Sequence, residues 1–373
     1  MRAGGQTYNG RMIRGAGFVR AVVLLPVLLW CALSLGQSVP ASAGKSANTE
    51  AGQDAALGHA RSLIEQGKLA EAERAVRQYL NAHANSADGH YLLGSIYFQE
   101  VHGEARGKAS PPGVAENSAD FNAELAEQKF ADPKFKEAKE AKAKSSLAEY
   151  TEGAKYRIPS AVELKVVAFD YILLGDYPDA DKWLTRALQL APADGEVWYY
   201  LGRTKYNENR FEEAIDAFRR CLKLDPANLR AEYNLGLAYQ GLGRTDDAAA
   251  AFRTAIARQE DRLNPDAEPF IDLGSLLLDE NRAHDALPYL VQAVAIAPQE
   301  FRAHEQLGRA YERLDELEKA QAEFEKAVSL APQNPRLHYV LGQLYRKEGL
   351  AEKAKLEFDR SSDLRRDSPS EGR

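Results

Sequence analysis

Residues able to do covalent or acid–base chemistry are thinly spread in this chain, and their spacing assembles no known constellation. His304-Glu305 opens like a zinc-binding helix, but Gly308 stands where the second histidine of an H-E-x-x-H pair must fall. Phosphate-cradling GxxxxGK[ST], dinucleotide GxGxxG and nucleophile-elbow GxSxG signatures are absent. Cys221 has no companion cysteine beyond the N-terminal apolar run and sits where a small buried residue belongs, so it reads as a packed thiol. His90, His304 and His338 share one position, three residues before Leu-Gly or its equivalent, and read as structural substitutes for an aromatic ring. Positions so far apart cannot share one ion at ligand distances of about 2 Å. The expectation is a chain with no catalytic residue, no metal and no cofactor, whose chemistry is recognition.

What could position such a surface is bounded by composition. The 373 residues are 45% hydrophobic and 28% charged, the balance of a folded chain. Arg2, Arg11, Arg14 and Arg20 precede or flank an apolar run from Ala21 to Gly36, with no acid before Glu50. That run contains Pro26, is shorter than the roughly 20 residues needed to cross a bilayer, and is followed by Ala41-Ser42-Ala43. This is a signal-peptide layout, 1–43, with cleavage expected after Ala43 and translation from Met1 or Met12. An exported protein, periplasmic or secreted, follows, with no membrane span after cleavage; the alternative is an uncleaved anchor. Cleavage removes four arginines and no acid, moving the formal net charge from −7 to −11, which argues against nucleic acid as a partner. Cys221 alone survives, so no intramolecular disulfide forms.

The elements themselves come from an internal repeat. Pro192 and Pro226, like Pro298 and Pro332, are 34 residues apart. The frame LGRTKYNENRFEEAIDAF from Leu201 recurs as LGLAYQGLGRTDDAAAAF, LGSLLLDENRAHDALPYL, LGRAYERLDELEKAQAEF and LGQLYRKEGLAEKAKLEF. Each copy reads as a helix hairpin. Gly202, Gly236, Gly274, Gly308 and Gly342 admit close approach of the second helix, Ala214, Ala248, Ala286, Ala320 and Ala354 do so from the facing side, and Phe218, Phe252, Leu290, Phe324 and Phe358 fill the space between. Proline ends the second helix because it lacks an N–H and restricts the residue before it. Trp198, Leu201, Gly202, Ala214, Phe218 and Pro226 carry a resemblance to the tetratricopeptide repeat. The frame extends backward through Leu164, Ala168, Ala180 and Leu184 and, more weakly, through Ala60, Leu63, Ala72 and Val76.

The resemblance implies an all-α fold, a right-handed superhelical solenoid of about eight stacked antiparallel hairpins over 53–361. The units are 53–86, 87–160 with an insertion at about 100–133, 161–194, 195–228, 229–266, 267–300, 301–334 and 335–361, with a linker at 44–52 and a disordered tail at 362–373. A further four-residue insertion falls around Asp261 to Pro265. In the family, first helices line the inside of the superhelix, where extended peptides or partner helices lie. That face selects Tyr91, Phe98, Lys165, Phe169, Tyr199, Arg203, Tyr206, Asn207, Arg230 and Tyr233, then Arg302, Arg309, Arg313, Arg336, Tyr339, Arg346 and Lys347 with Glu305 and Glu312 between them. Tyrosine and arginine dominate binding hot spots, so a groove for an acidic or aromatic-bearing segment is expected. The family's carboxylate clamp is not matched: Lys165 fits, but Phe169 replaces an asparagine, and Glu268 and Asp272 oppose the basic pair. The expected function is a protein-interaction scaffold, in assembly of an envelope or secretion complex, open to self-association through its end repeats. The alternative is a nonenzymatic docking or regulatory subunit of an envelope enzyme complex.

Overall fold

The computed structural model describes residues 47–103, 133–260 and 262–367; the segment 1–43 read as a signal peptide and most of the insertion lie outside the described residues. The chain divides into two compact units, Met1–Ala51 and Gly52–Arg373, and of the first only residues 47–51 are described, as the start of a helix. Among the described residues there are sixteen helices and no strand. They pair as hairpins: α1 (Ala47–Glu65) with α2 (Leu69–Ala82), α3 (Ala87–Gly103) with α4 (Pro133–Gly153), α5 (Ala161–Leu173) with α6 (Tyr177–Leu190), and α7 (Gly195–Asn207) with α8 (Phe211–Leu224). The series continues with α9 (Leu229–Gly241) and α10 (Thr245–Ala257), α11 (Glu268–Asp279) and α12 (Ala283–Ile296), α13 (Phe301–Arg313) and α14 (Leu317–Leu330), and α15 (Pro335–Lys347) and α16 (Ala351–Asp367). The all-α superhelical solenoid expected from the repeats is what the chain forms.

Most hairpins close by the same local physics. A Cβ on Gly202 would lie 2.6 Å from the ring of Phe218, so only glycine lets that fully buried ring seat against α7. In the seven hairpins whose turn is described, one residue there takes the left-handed conformation: Gly67, Gly175, Asn209, Gly243, Asn281, Asp315 or Gly349. At Asn209 this closes a Schellman-type end, with Arg210 N–H donating to Lys205 O at 2.9 Å. One apolar cluster runs without a break from Leu164 in α5 to Ala310 in α13, so neighbouring hairpins share a core.

The joints between hairpins are closed by varied chemistry at one register position. Trp198 Nε1–H donates to Pro192 O at 2.9 Å. His90, His304 and His338 place Nε2 at 2.9, 3.1 and 2.9 Å from the carbonyls of Ala84, Pro298 and Pro332, and Nδ1 within 2.7 Å of Glu149, Glu323 and Glu357. Glu232 occupies that position in α9 and cannot donate; Arg258 reaches Pro226 O instead and pairs with Glu232 at 3.2 Å. At the four-residue insertion, the buried amide of Gln259 holds both backbone groups of Asp266, at 2.9 and 2.7 Å.

Two boundaries differ from the sequence expectation. Helix α16 runs to Asp367, past the limit drawn at 361, because Ser361 is 2% exposed with its hydroxyl donating to Pro335 O at 2.7 Å, and Leu364 is buried beyond it. Helix α1 begins at Ala47, inside the segment read as linker.

Candidate protein-interaction surface

First helices of successive hairpins touch one another, α3 with α5, α7 with α9 and α11 with α13, whereas pairs of second helices are not among the substantial contacts. The first helices are therefore the inner layer, and the repeat stacks equivalent residues in columns across it. One column reads Val162, Glu196, Arg230, Glu268, Arg302, Arg336; another reads Lys165, Tyr199, Tyr233, Ile271, Glu305, Tyr339. Columns lie close enough for each first helix to bond to the next.

That bonding accounts for most of the residues expected on the groove. Lys165 Nζ lies 3.2 Å from Asp194 and 2.9 Å from Glu196. Burial draws its ammonium pKa down, but the bonds to these acids win and hold it above its ordinary value. The guanidinium of Arg230 sits 4.8 Å over the ring of Tyr199. Tyr233 donates its hydroxyl to Asp272 Oδ2 at 2.6 Å, and Arg302 reaches back to Glu268 at 2.6 Å and Asp272 Oδ1 at 3.0 Å. Arg309 pairs with Asp279 at 3.2 Å, and Arg313 donates to Leu278 O and to Asn281 Oδ1, the latter at 2.7 Å. Arg336 Nη2 approaches Glu305 Oε1 at 2.8 Å, off the line of a good hydrogen bond, so the contact is ionic. Lys347 lies 3.7 Å from Asp315.

The electrostatics follow from this packing. Burial is the largest influence on Asp272 and Glu268 and raises both carboxyls, against the stabilising pull of Arg302 and, for Asp272, of the Tyr233 hydroxyl. Burial likewise pushes the Tyr233 phenol well above its usual value, with Asp272 adding to the shift. Removing Arg302 would leave Glu268 and Asp272 side by side without the cation they share.

Four residues expected on the groove face are buried, Tyr91 at 3% and Glu305 at 2% exposed together with Phe169 and Tyr199. Phe169 is buried, 4.3 Å from the ring of Tyr200 and 6.2 Å from that of Phe98, and Tyr199 is only 1% exposed, packed on Phe218. Both are core because an aromatic ring at these positions is trapped between consecutive first helices. Arg203 and Tyr206 are half-buried, Asn207, Arg336, Tyr339 and Arg346 are exposed. The acids that neutralise the inner cations, Glu196, Glu268, Asp272 and Asp279, were not assigned that role from the sequence. Aligning the repeats in columns, rather than reading each helix separately, carries the signal.

Tetratricopeptide repeat models match residues 195–228 and, with a second model, 57–101, 233–268, 271–335 and 306–369, together more than half of the chain. No curated protein matches. Among solved structures, the chain is similar to MamA (residues 41 to the end) from Desulfovibrio magneticus RS-1, at 24% identity, covering 47% of this chain and 97% of that one with a TM-score of 0.43. It is similar to YrrB, a TPR protein with an unusual peptide-binding site, at 23% identity, 50% and 93% coverage and a TM-score of 0.42. It is similar to PilW, a type IV pilus biogenesis factor, at 21% identity, 56% and 94% coverage and a TM-score of 0.49.

Proposed function

The chain belongs to the tetratricopeptide repeat family, and from that premise we propose that its first-helix face binds an extended segment of a partner protein and holds it without transforming it. The observation that carries this reading is the set of cross-hairpin bonds. Lys165, Arg302, Arg309 and Arg336 each tie one first helix to an acid on a neighbour, so the surface is ordered before any partner arrives. Preorganisation lowers the entropic cost of association. Arg203, Tyr206 and Asn207 lie on α7 within this framework, and their side chains suit stacking and hydrogen bonding to an extended backbone.

Export is part of the proposal. The Arg-rich start, the Ala21–Gly36 run and Ala41-Ser42-Ala43 favour delivery across a membrane and removal of the first 43 residues. No helix among the described residues is long and apolar enough to cross a membrane. The scaffold would then work in assembly of an envelope or secretion complex. N-terminal sequencing of the envelope-derived protein should begin at Gly44; an intact leader would defeat the cleavage assignment. Crosslinking co-purification beside a triple Arg203→Ala, Tyr206→Ala, Asn207→Ala variant tests the surface. Loss of one reproducible partner, with unchanged thermal unfolding, is expected; an unchanged set of partners would sink the assignment.

A further inference from the structure

The cross-hairpin bonding runs out at α15. Along the first column, charge alternates through Glu196, Arg230, Glu268 and Arg302, and each acid lies beside a cation of a neighbouring helix. The next member, Arg336, repeats the positive sign. In the second column Glu305, which receives Arg336, is followed by Tyr339. In a third, Glu312 is followed by Arg346. Helix α11 carries only acids as formal charges and α13 carries both signs, but α15, from Pro335 to Lys347, has no acid at all. Among the described first helices, α15 offers cations on its inner face and supplies no acid for a following register.

Two cations at this end, Arg346 of α15 and Arg365 of α16, are mounted on rings. The guanidinium of Arg346 lies 5.8 Å from the centre of the Phe358 ring, Phe358 stands 5.6 Å from Tyr339, and the Arg365 guanidinium lies 5.5 Å over Tyr339. Tyr339 is 41% exposed, whereas its counterpart Tyr199 is sealed inside the stack. The side chain of Arg336 is 63% exposed although one nitrogen faces Glu305. Three nearby acids are already engaged: Asp363 with Arg366, Glu357 with His338, and Asp315 with Lys347. Arginine presents its donors as a planar fork that matches a carboxylate, and stacking on an aromatic ring orients that fork. One exposed pair is worth little, so binding here requires several carboxylates on one strand together with the open ring of Tyr339.

We propose that this end of the first-helix face, built by Arg336, Tyr339, Arg346 and Arg365, docks a glutamate- or aspartate-rich peptide segment of a partner protein, which provides the acids that the column lacks beyond Glu305 and Glu312. The assignment rests on the interaction-scaffold reading and names the chemistry of its ligand. The chain's overall net charge of −7 makes non-specific attraction of an acidic peptide unfavourable, so binding would report this patch.

The test is fluorescence anisotropy with the full chain and a short fluorescein-labelled glutamate-rich peptide, its glutamine counterpart, and an oligothymidine of equal charge as competitor. The glutamate peptide should bind, and more weakly as salt rises. Arg346→Glu combined with Arg365→Gln should weaken it by about tenfold or more, the effect of losing charge-assisted contacts. Arg346→Lys with Arg365 intact, which keeps the charge and loses the ring-stacked fork, should weaken binding by less than the double substitution, and Arg74→Gln, on the outer helix α2, should change nothing. Equal binding of the glutamine peptide, equal competition by oligothymidine, or undiminished binding in the doubly substituted chain with an unchanged unfolding midpoint would each overturn the proposal. The two readings fail separately. A crosslinked partner lost with the α7 variant but kept by the Arg346→Glu, Arg365→Gln chain retains the scaffold and rejects this patch, and a partner kept by both rejects the two together.

Discussion

The first-helix face is built differently at its middle and at its C-terminal end. Between α5 and α9 its register positions hold rings: Phe169 of α5 packs tilted against Tyr200 of α7, and Arg230 of α9 is laid over Tyr199. From α11 to α15 charge enters this register, with Asp272 at the place of Tyr200, Glu305 at that of Tyr199 and Arg309 at that of Phe169, and Arg302, Arg309 and Arg336 tie each first helix to acids on the one before it. Phe169 and Tyr199, enclosed by first helices on both sides, become core and are lost to a partner, whereas Tyr339 on α15 stays 41% exposed. Charged residues stay at the surface, because a guanidinium keeps part of its hydration while it pairs.

The comparison can be broken by substitution. Tyr199→Ala should cost about 3–5 kcal/mol by denaturant unfolding, as for other fully buried rings, and independently of salt. Arg302→Gln should cost only about 1 kcal/mol, because its side chain is 42% exposed and its pairs are screened, and the difference from the parent should shrink in high salt. Equal salt dependence in the two variants would erase the distinction between the regions.

Two aspartates sharpen it with opposite signs. Asp170, in the stacked region, has both oxygens buried without a well-formed hydrogen bond, and Ser146, its polar neighbour, donates instead to Gly94 O. Burial therefore raises its carboxyl well above the ordinary 3.8. Between those values the folded chain keeps a proton that the unfolded chain has lost, so this group makes stability fall as pH rises through the window. Asp170→Asn should remove that slope and raise stability at neutral pH. Asp272→Asn, in the paired region, should instead cost about 2 kcal/mol by weakening the bonds to Tyr233 and Arg302. Unfolding midpoints of both variants from acid to neutral pH decide the matter; a destabilising Asp170→Asn would contradict the packing account. The smallest effect is expected where the regions do not differ. Asn209→Gly, at a left-handed turn of φ 58°, should gain at most about 0.5 kcal/mol in thermal unfolding.

Much of the fold was legible because it depends on near neighbours in sequence. Glycine facing phenylalanine within a hairpin, left-handed turn residues and helix-ending prolines repeat at one interval, and a helix keeps that register by its own hydrogen bonds. The histidines were legible as substitutes for an aromatic, since they recur at its position. Their bonding partners were not, because Pro298 and Glu323 come to His304 only when two hairpins dock. Phe169 and Tyr199 were misplaced for the same reason: a side chain on the inner helix is exposed or sealed according to what its neighbour in the next hairpin presents.

The sequence by itself determined the hairpin, its length, its turns and the number of times it is stacked, since these follow from helix periodicity and local backbone chemistry. Only the tertiary structure decided which inner residues are surface, which cations are already neutralised, and that the series of acids ends at α15. Those outcomes depend on contacts between residues about one repeat apart, and the angle at which hairpins dock sets them.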